Sequence, residues 1–263
     1  ENARRFLAKA SSAASTRPGG ARVRGYVQLL DGLLARSDGN LGDALLSFGG
    51  AHRSFITAQD RRGQALALQS IGVLYSDVGA GDDAARYLEL SRDAYPEHDI
   101  VFKLSLNNNY GVVEQTRYDF TAAERYFLVA REAASELGSE RLALQISLNI
   151  ISARLQTGNV RGAQALIAEI ERNRSSLSSP QRRELQRLRA WLALDQGRAA
   201  EALNLIQGLL VGVDPETSTS ADRSLLLVAY RIFRQAGRQG EALAYLEAVR
   251  RLDAADAQIV SSN

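Results

Sequence analysis

The chain has 263 residues and a formal charge of +2, with 45% apolar and 24% charged residues, an ordinary globular balance. It contains neither cysteine nor methionine, which excludes disulfides, thiolate catalysis and zinc–thiolate sites. Its cations are almost all arginine, Lys9 and Lys103 excepted. They are scattered rather than gathered into a stripe, so no nucleic-acid surface is expected.

Four prolines and seven phenylalanines against abundant Ala and Leu favour helices over sheets. The first segment, "ENARRFLAKASS" (1–12), reads as a helix, and "STRPGGA" (15–21) reads as a loop. Residues 1–21 are thus an N-terminal helix and linker, either a free helical cap or half of an earlier repeat. From residue 22 to 263 a repeat sets in. The stretches "GNLGDALLSFGGA" (39–51), "GAGDDAARYLELS" (79–91), "YDFTAAERYFLVA" (118–130), "GNVRGAQALIAEI" (158–170), "GRAAEALNLIQGL" (197–209) and "GRQGEALAYLEAV" (237–249) share one register. Its alanine slot is Ala44, Ala84, Ala123, Ala163, Ala202 and Ala242, at spacings of 40, 39, 40, 39 and 40. The units run over about 22–60, 61–99, 100–139, 140–179, 180–218 and 219–256.

Each unit has an apolar helical stretch before the break and another after it. In the second, Leu68, Ile71, Gly72 and Tyr75 recur at the helical period, as do Ala84, Leu88 and Ser91 after the break. Asp82 and Asp83 sit where an N-cap and a first-turn anion belong. Each unit is therefore a helix–turn–helix hairpin, with turns expected near Gly39, Gly79, Tyr118, Gly158, Gly197 and Gly237. Two antiparallel helices at close range need small residues where they cross. Gly32, Gly72 and Gly111 supply one side and the six alanines the other, while Phe48, Leu88, Phe127, Ile167, Ile206 and Leu246 supply the bulk beside them. Polar joints at 173–181 and 213–222 link the later units; Asp214-Pro215 marks a turn, and Ser220 or Asp222 is a candidate cap for the next helix. The tail "AQIVSSN" (257–263) lacks a further full unit.

Catalytic chemistry finds no support. His52 and His98 are isolated in different units, without a triad or ligand partner at short range. "GAGDD" lacks the lysine and the preceding strand of a phosphate loop. No enzyme, cofactor or metal site is expected. A binding signal does exist in "LSLNNNYGVV" (104–113), because adjacent asparagines are poor helix formers. Asn109 lies two residues before Gly111, Asn149 lies two before Ile151, and Ser70 holds the same place before Gly72. Such a recurring carboxamide serves either as a helix-to-helix brace or as a groove-facing group that donates to and accepts from a peptide backbone. Asn108, Gln115, Gln145, Ser152 and Arg154 are expected near it. Trp191, the single tryptophan, is a core residue or, if exposed, an anchor; Arg187 one turn earlier is placed to pair with an anion.

The Gly-x-x-Tyr of "SIGVLYSDVG", the alanine slot, the large apolar residue four later, the small residue three after that (Ala51, Ser91, Ala130) and Pro96 ending a unit resemble the tetratricopeptide repeat. The resemblance covers about residues 22–252. The chain departs from the family at Ile151, Ala190 and Tyr230, which replace the first glycine, at Ile170, Leu209 and Val249, which replace the small residue, and in its longer period. The resemblance implies an all-α, right-handed superhelical solenoid of about six hairpins, whose first helices line a concave groove for a peptide, a protein or a small ligand. The arginine and alanine bias and the unit length resemble repeat regions that precede a membrane helix and a diguanylate cyclase or histidine kinase domain in bacteria. On that reading the chain is a periplasmic sensory region, joined to a membrane only through segments outside it, since it begins at Glu1 as a processed or excised piece. The second reading is a cytoplasmic scaffold, a peptide-pheromone receptor or the repeat region of a transcription regulator.

Overall fold

The computed structural model describes residues 20–95, 99–172, 177–219 and 222–261. Among them every regular element is a helix. The chain divides between Tyr118 and Asp119 into two compact units. The first holds α1 (Gly20–Ser37), α2 (Leu41–Thr57), α3 (Arg61–Asp77), α4 (Gly81–Ala94) and α5 (Ile100–Thr116). The second holds α6 (Phe120–Glu136), α7 (Glu140–Gln156), α8 (Val160–Arg172), α9 (Ser179–Asp195), α10 (Ala199–Leu210), α11 (Arg223–Gln235) and α12 (Gln239–Ser261). The helix expected within 1–12, together with Pro96, His98 and Ser220, lies outside the described residues. No helix among the described residues is long and apolar enough to cross a membrane.

The expected turns fall where the sequence places them. Gly39, Gly79, Gly158, Gly197 and Gly237 take φ between 74° and 79°, the left-handed conformation that ends a helix at no Cβ cost. The next residue's N–H then reaches back to a carbonyl five positions earlier: Asn40 to Ala35 at 2.9 Å, Ala80 to Tyr75 at 2.9 Å, Asn159 to Arg154 at 2.8 Å, Arg198 to Ala193 at 2.8 Å and Arg238 to Phe233 at 2.9 Å. These bonds close the last turn of the first helix in five repeats. Tyr118 adopts the same conformation (φ 64°) without being glycine, as does Gln59 (φ 52°) between repeats.

Helix starts are set by side-chain caps. Asp60 accepts from Gly63 N–H at 2.9 Å, Asp99 from Phe102 N–H at 2.9 Å, Asp119 from Ala122 N–H at 2.9 Å and Asn159 from Gly162 N–H at 3.0 Å. Ser178 and Gln181 form a reciprocal capping box at α9. The expectation for Asp82 and Asp83 is half right. Ala80 occupies the N-cap of α4, and both aspartates lie in the first turn, where their charge favours the helix dipole. Asp222 stands at the N-cap of α11 without capping it; its carboxylate turns outward and accepts from Thr219 N–H at 3.2 Å.

The packing answers to the small residues. All six slot alanines are buried, and Ala44, Ala84, Ala123, Ala163 and Ala202 are fully so. Phe48, Leu88, Phe127, Ile167 and Ile206 are buried beside them, while Leu246 is half-buried. At Gly32 an added Cβ would stand 2.4 Å from the Phe48 ring, and at Gly72 one would stand 3.1 Å from the Ala84 carbonyl and from Leu88. The loss of helix propensity, about 0.8–1 kcal/mol per glycine against alanine, is thus set against a close approach, one that at Gly32 leaves no room for a Cβ unless the Phe48 ring shifts. In the first compact unit α1, α3 and α5 lie against one another as a row; in the second, α7, α9 and α11 do the same.

Candidate functional site

The row formed by α1, α3 and α5 carries a pocket of about 290 Å³. Residues one helical turn apart build it: Leu29, Leu33 and Arg36 from α1, Leu66, Gln69, Ser70 and Val73 from α3, and Asn109 from α5, with Phe48 of α2 at its base. The leucines and Val73 give it apolar walls. At one end Arg36 is pinned by a bidentate pair with Asp77, one bond measuring 2.9 Å. Ser70 turns inward to its own helix, donating to the Leu66 carbonyl at 2.9 Å.

The chemistry of the pocket centres on Gln69. This side chain is only 4% exposed. Its Oε1 accepts from Asn109 Nδ2 at 3.2 Å, but its Nε2 is buried with no hydrogen-bond partner. An unmade hydrogen bond in that setting costs about 1–3 kcal/mol. A ligand that supplies an acceptor there recovers that cost. A peptide group offers both C=O and N–H, so it satisfies the primary amide in either orientation.

Asn109 thus braces α5 against α3 and also lines the pocket. Asn107 bonds back to the Lys103 carbonyl at 2.7 Å. Asn108 and Gln115 are half-buried on α5, outside the lining. The remaining expected residues all belong to the second compact unit. Gln145 is exposed on α7, and Asn149 and Ser152 are half-buried there.

Two expectations, for Arg154 and Arg187, are corrected, and of the two readings of Trp191 the core one holds. Arg154 is an internal brace, donating to Glu124 at 2.7 Å and to the Gly162 carbonyl at 3.0 Å, which ties α7 to α6 and α8. Arg187 is buried and held by Glu184 three residues earlier, one bond measuring 2.8 Å, so its charge is already met. Trp191 is 5% exposed and covered by the Arg231 guanidinium, 4.9 Å from the ring centroid, so it is no exposed anchor. Beside them burial pushes the Asp195 carboxyl above its ordinary value, although Arg231 and Trp191 pull the other way. His52, on α2, is held below its ordinary value by burial first and by Arg53 second. Among the described residues no cluster of His, Cys, Asp or Glu could hold a metal ion.

Gln69 itself was not among the expected residues. The signal was present: it stands three places before Gly72, as Asn108 stands three before Gly111, so a carboxamide recurs in that register too.

No family model and no curated protein matches the chain. Solved structures do. BtubC (BKLC) from P. vanneervenii is 17% identical with a TM-score of 0.58, over 97% of this chain and 89% of that one. A Rap protein complexed with Competence and Sporulation Factor is 13% identical with a TM-score of 0.69, over 97% of this chain and 81% of that one. The Rap conjugation gene regulator of the plasmid pLS20, in complex with the Phr* peptide, is 14% identical with a TM-score of 0.64, over 90% and 75%. At these identities the likeness is one of fold, an all-α helical repeat.

Proposed function

We propose that this chain is a non-catalytic, peptide-binding regulatory module whose ligand lies on the α1–α3–α5 row, with a backbone amide of the peptide against Gln69. The observation that carries the reading is the buried, unpartnered Gln69 Nε2, on a side chain that lines an apolar-walled pocket together with Asn109. Two of the similar folds were solved with a bound Competence and Sporulation Factor or Phr* peptide, and one of them is a gene regulator. That favours a peptide receptor acting on a protein partner over the sensory region of a membrane-bound cyclase or kinase, for which the comparisons offer nothing. The pocket holds one apolar side chain of an extended peptide, and the rest of the ligand runs along the row.

The test is a fluorescence-polarisation screen of labelled, terminally blocked hexapeptides degenerate at each position. Wild type selects peptides with an apolar residue at one position, and Gln69→Leu loses at least tenfold in affinity for them. Equal binding by the variant, or no selection from the library at all, overturns the proposal.

A further inference from the structure

The second compact unit carries a different cleft, independent of the peptide reading. It lies between α9 and α10 and measures about 630 Å³. One wall is basic: Arg182, Arg183 and Arg189 project from α9 with Gln186 among them. The other is apolar, formed by Leu205 and Leu209 of α10.

Two of these guanidinium groups are fixed in place by neutral acceptors. Arg182 donates to the Leu177 carbonyl at 2.6 Å and to Ser179 Oγ at 3.0 Å, and Arg183 donates to the Leu209 carbonyl at 2.9 Å. Such bonds orient a guanidinium without cancelling its charge. Among the described residues, Arg189 is the one of the three that faces a carboxylate, Glu171, at 3.3 Å. A guanidinium has five N–H donors, so most of those in this wall are left for another acceptor. The cleft thus holds oriented cations in excess over anions beside an apolar face. Forked donors of this kind match carboxylate and phosphate oxygens.

Gly208 keeps the cleft open. It lies in α10, where glycine weakens a helix, yet no close packing explains it as at Gly32. The nearest atom to an added Cβ is Gln186 Nε2 at 3.7 Å, an ordinary contact. A side chain at this position would grow into the cleft.

We propose that this cleft binds a small organic anion, its carboxylate or phosphate head between Arg182 and Arg189 and its apolar body on Leu205 and Leu209. The probes are phenyl phosphate, benzoate, inorganic phosphate and benzyl alcohol, titrated calorimetrically into the full chain at matched ionic strength. Wild type binds phenyl phosphate or benzoate; whichever binds more tightly identifies the head group, and benzyl alcohol does not bind. The Arg182→Gln/Arg189→Gln double variant loses at least tenfold in affinity. Gly208→Leu, which has room to fold, also loses at least tenfold while its thermal midpoint does not fall. Arg161→Gln, an exposed arginine on α8, binds as wild type does. Undiminished binding by Gly208→Leu or by the double variant overturns the proposal, as does failure of both aromatic anions to bind at 10 mM or inorganic phosphate binding as tightly as phenyl phosphate.

Discussion

Gln69→Leu removes both halves of the amide at the centre of the pocket, and its effect on stability can be worked out from the structure. The unpartnered Nε2 costs the fold about 1–3 kcal/mol, and the bond from Asn109 returns about 0.5–1.5 kcal/mol. Asn109 is half-buried, so water meets its amide once Gln69 is gone. Leucine has nearly the same bulk and sits among Leu29, Leu66 and Val73, where its burial is favourable. The net expectation is a gain of about 1 kcal/mol, which for a chain of this size raises the thermal midpoint by roughly 2–4 °C. Thermal denaturation followed by circular dichroism at 222 nm reads it. A residue whose removal stabilises the fold while abolishing binding is present for binding. A midpoint that falls by 2 °C or more would show instead that the amide is an internal brace with its bonds made.

The other expectations follow from packing, backbone and charge. Ala163→Leu in α8 should cost about 1–3 kcal/mol by overpacking, since Ala163 is fully buried; urea unfolding would show it, and an unchanged midpoint would contradict the repeat register. Gln59→Gly should gain about 0.5–1 kcal/mol, because Gln59 holds φ at 52° and only glycine does so without steric cost; a loss in the same urea assay would contradict it. Ser178→Ala should cost about 1 kcal/mol through loss of the capping box at α9, and differential scanning calorimetry would detect it. For Asp99, burial opposes ionisation, but bonds from Phe102 N–H, Arg62 and Tyr95 outweigh it and hold the carboxyl below its ordinary value. A depressed carboxyl stabilises the fold above its unfolded pKa, and that contribution disappears as pH falls through the lower folded value. NMR titration of the Asp99 carboxyl should find it low in wild type and raised in Arg62→Ala.

The turns and crossings were legible in the sequence because they depend on local chemistry. A glycine five residues before a fixed alanine sits after a helix pattern in Gly39, Gly79, Gly158, Gly197 and Gly237 only if the chain turns there. Tyr118 was legible through its neighbours, since Ala123 and Phe127 hold the register. Side-chain partners were not legible where they come from another helix. Arg154 has Glu124 thirty residues away and a carbonyl of α8, and sequence offers many acids at that range. Arg187 with Glu184 could have been read from its spacing of three on one helix. Gln69 is marked in the sequence only by its place three residues before Gly72; its meaning arises only when α5 brings Asn109 to it and leaves its nitrogen without a partner.

The most direct test of the peptide site is hydrogen–deuterium exchange mass spectrometry with the tightest hexapeptide from the degenerate library, bound to wild type and to Gln69→Leu. Exchange should slow in α1, α3 and α5 of wild type, with the effect absent in the variant at the same peptide concentration. Protection confined to helices of the second compact unit, or identical protection in the variant, would contradict it.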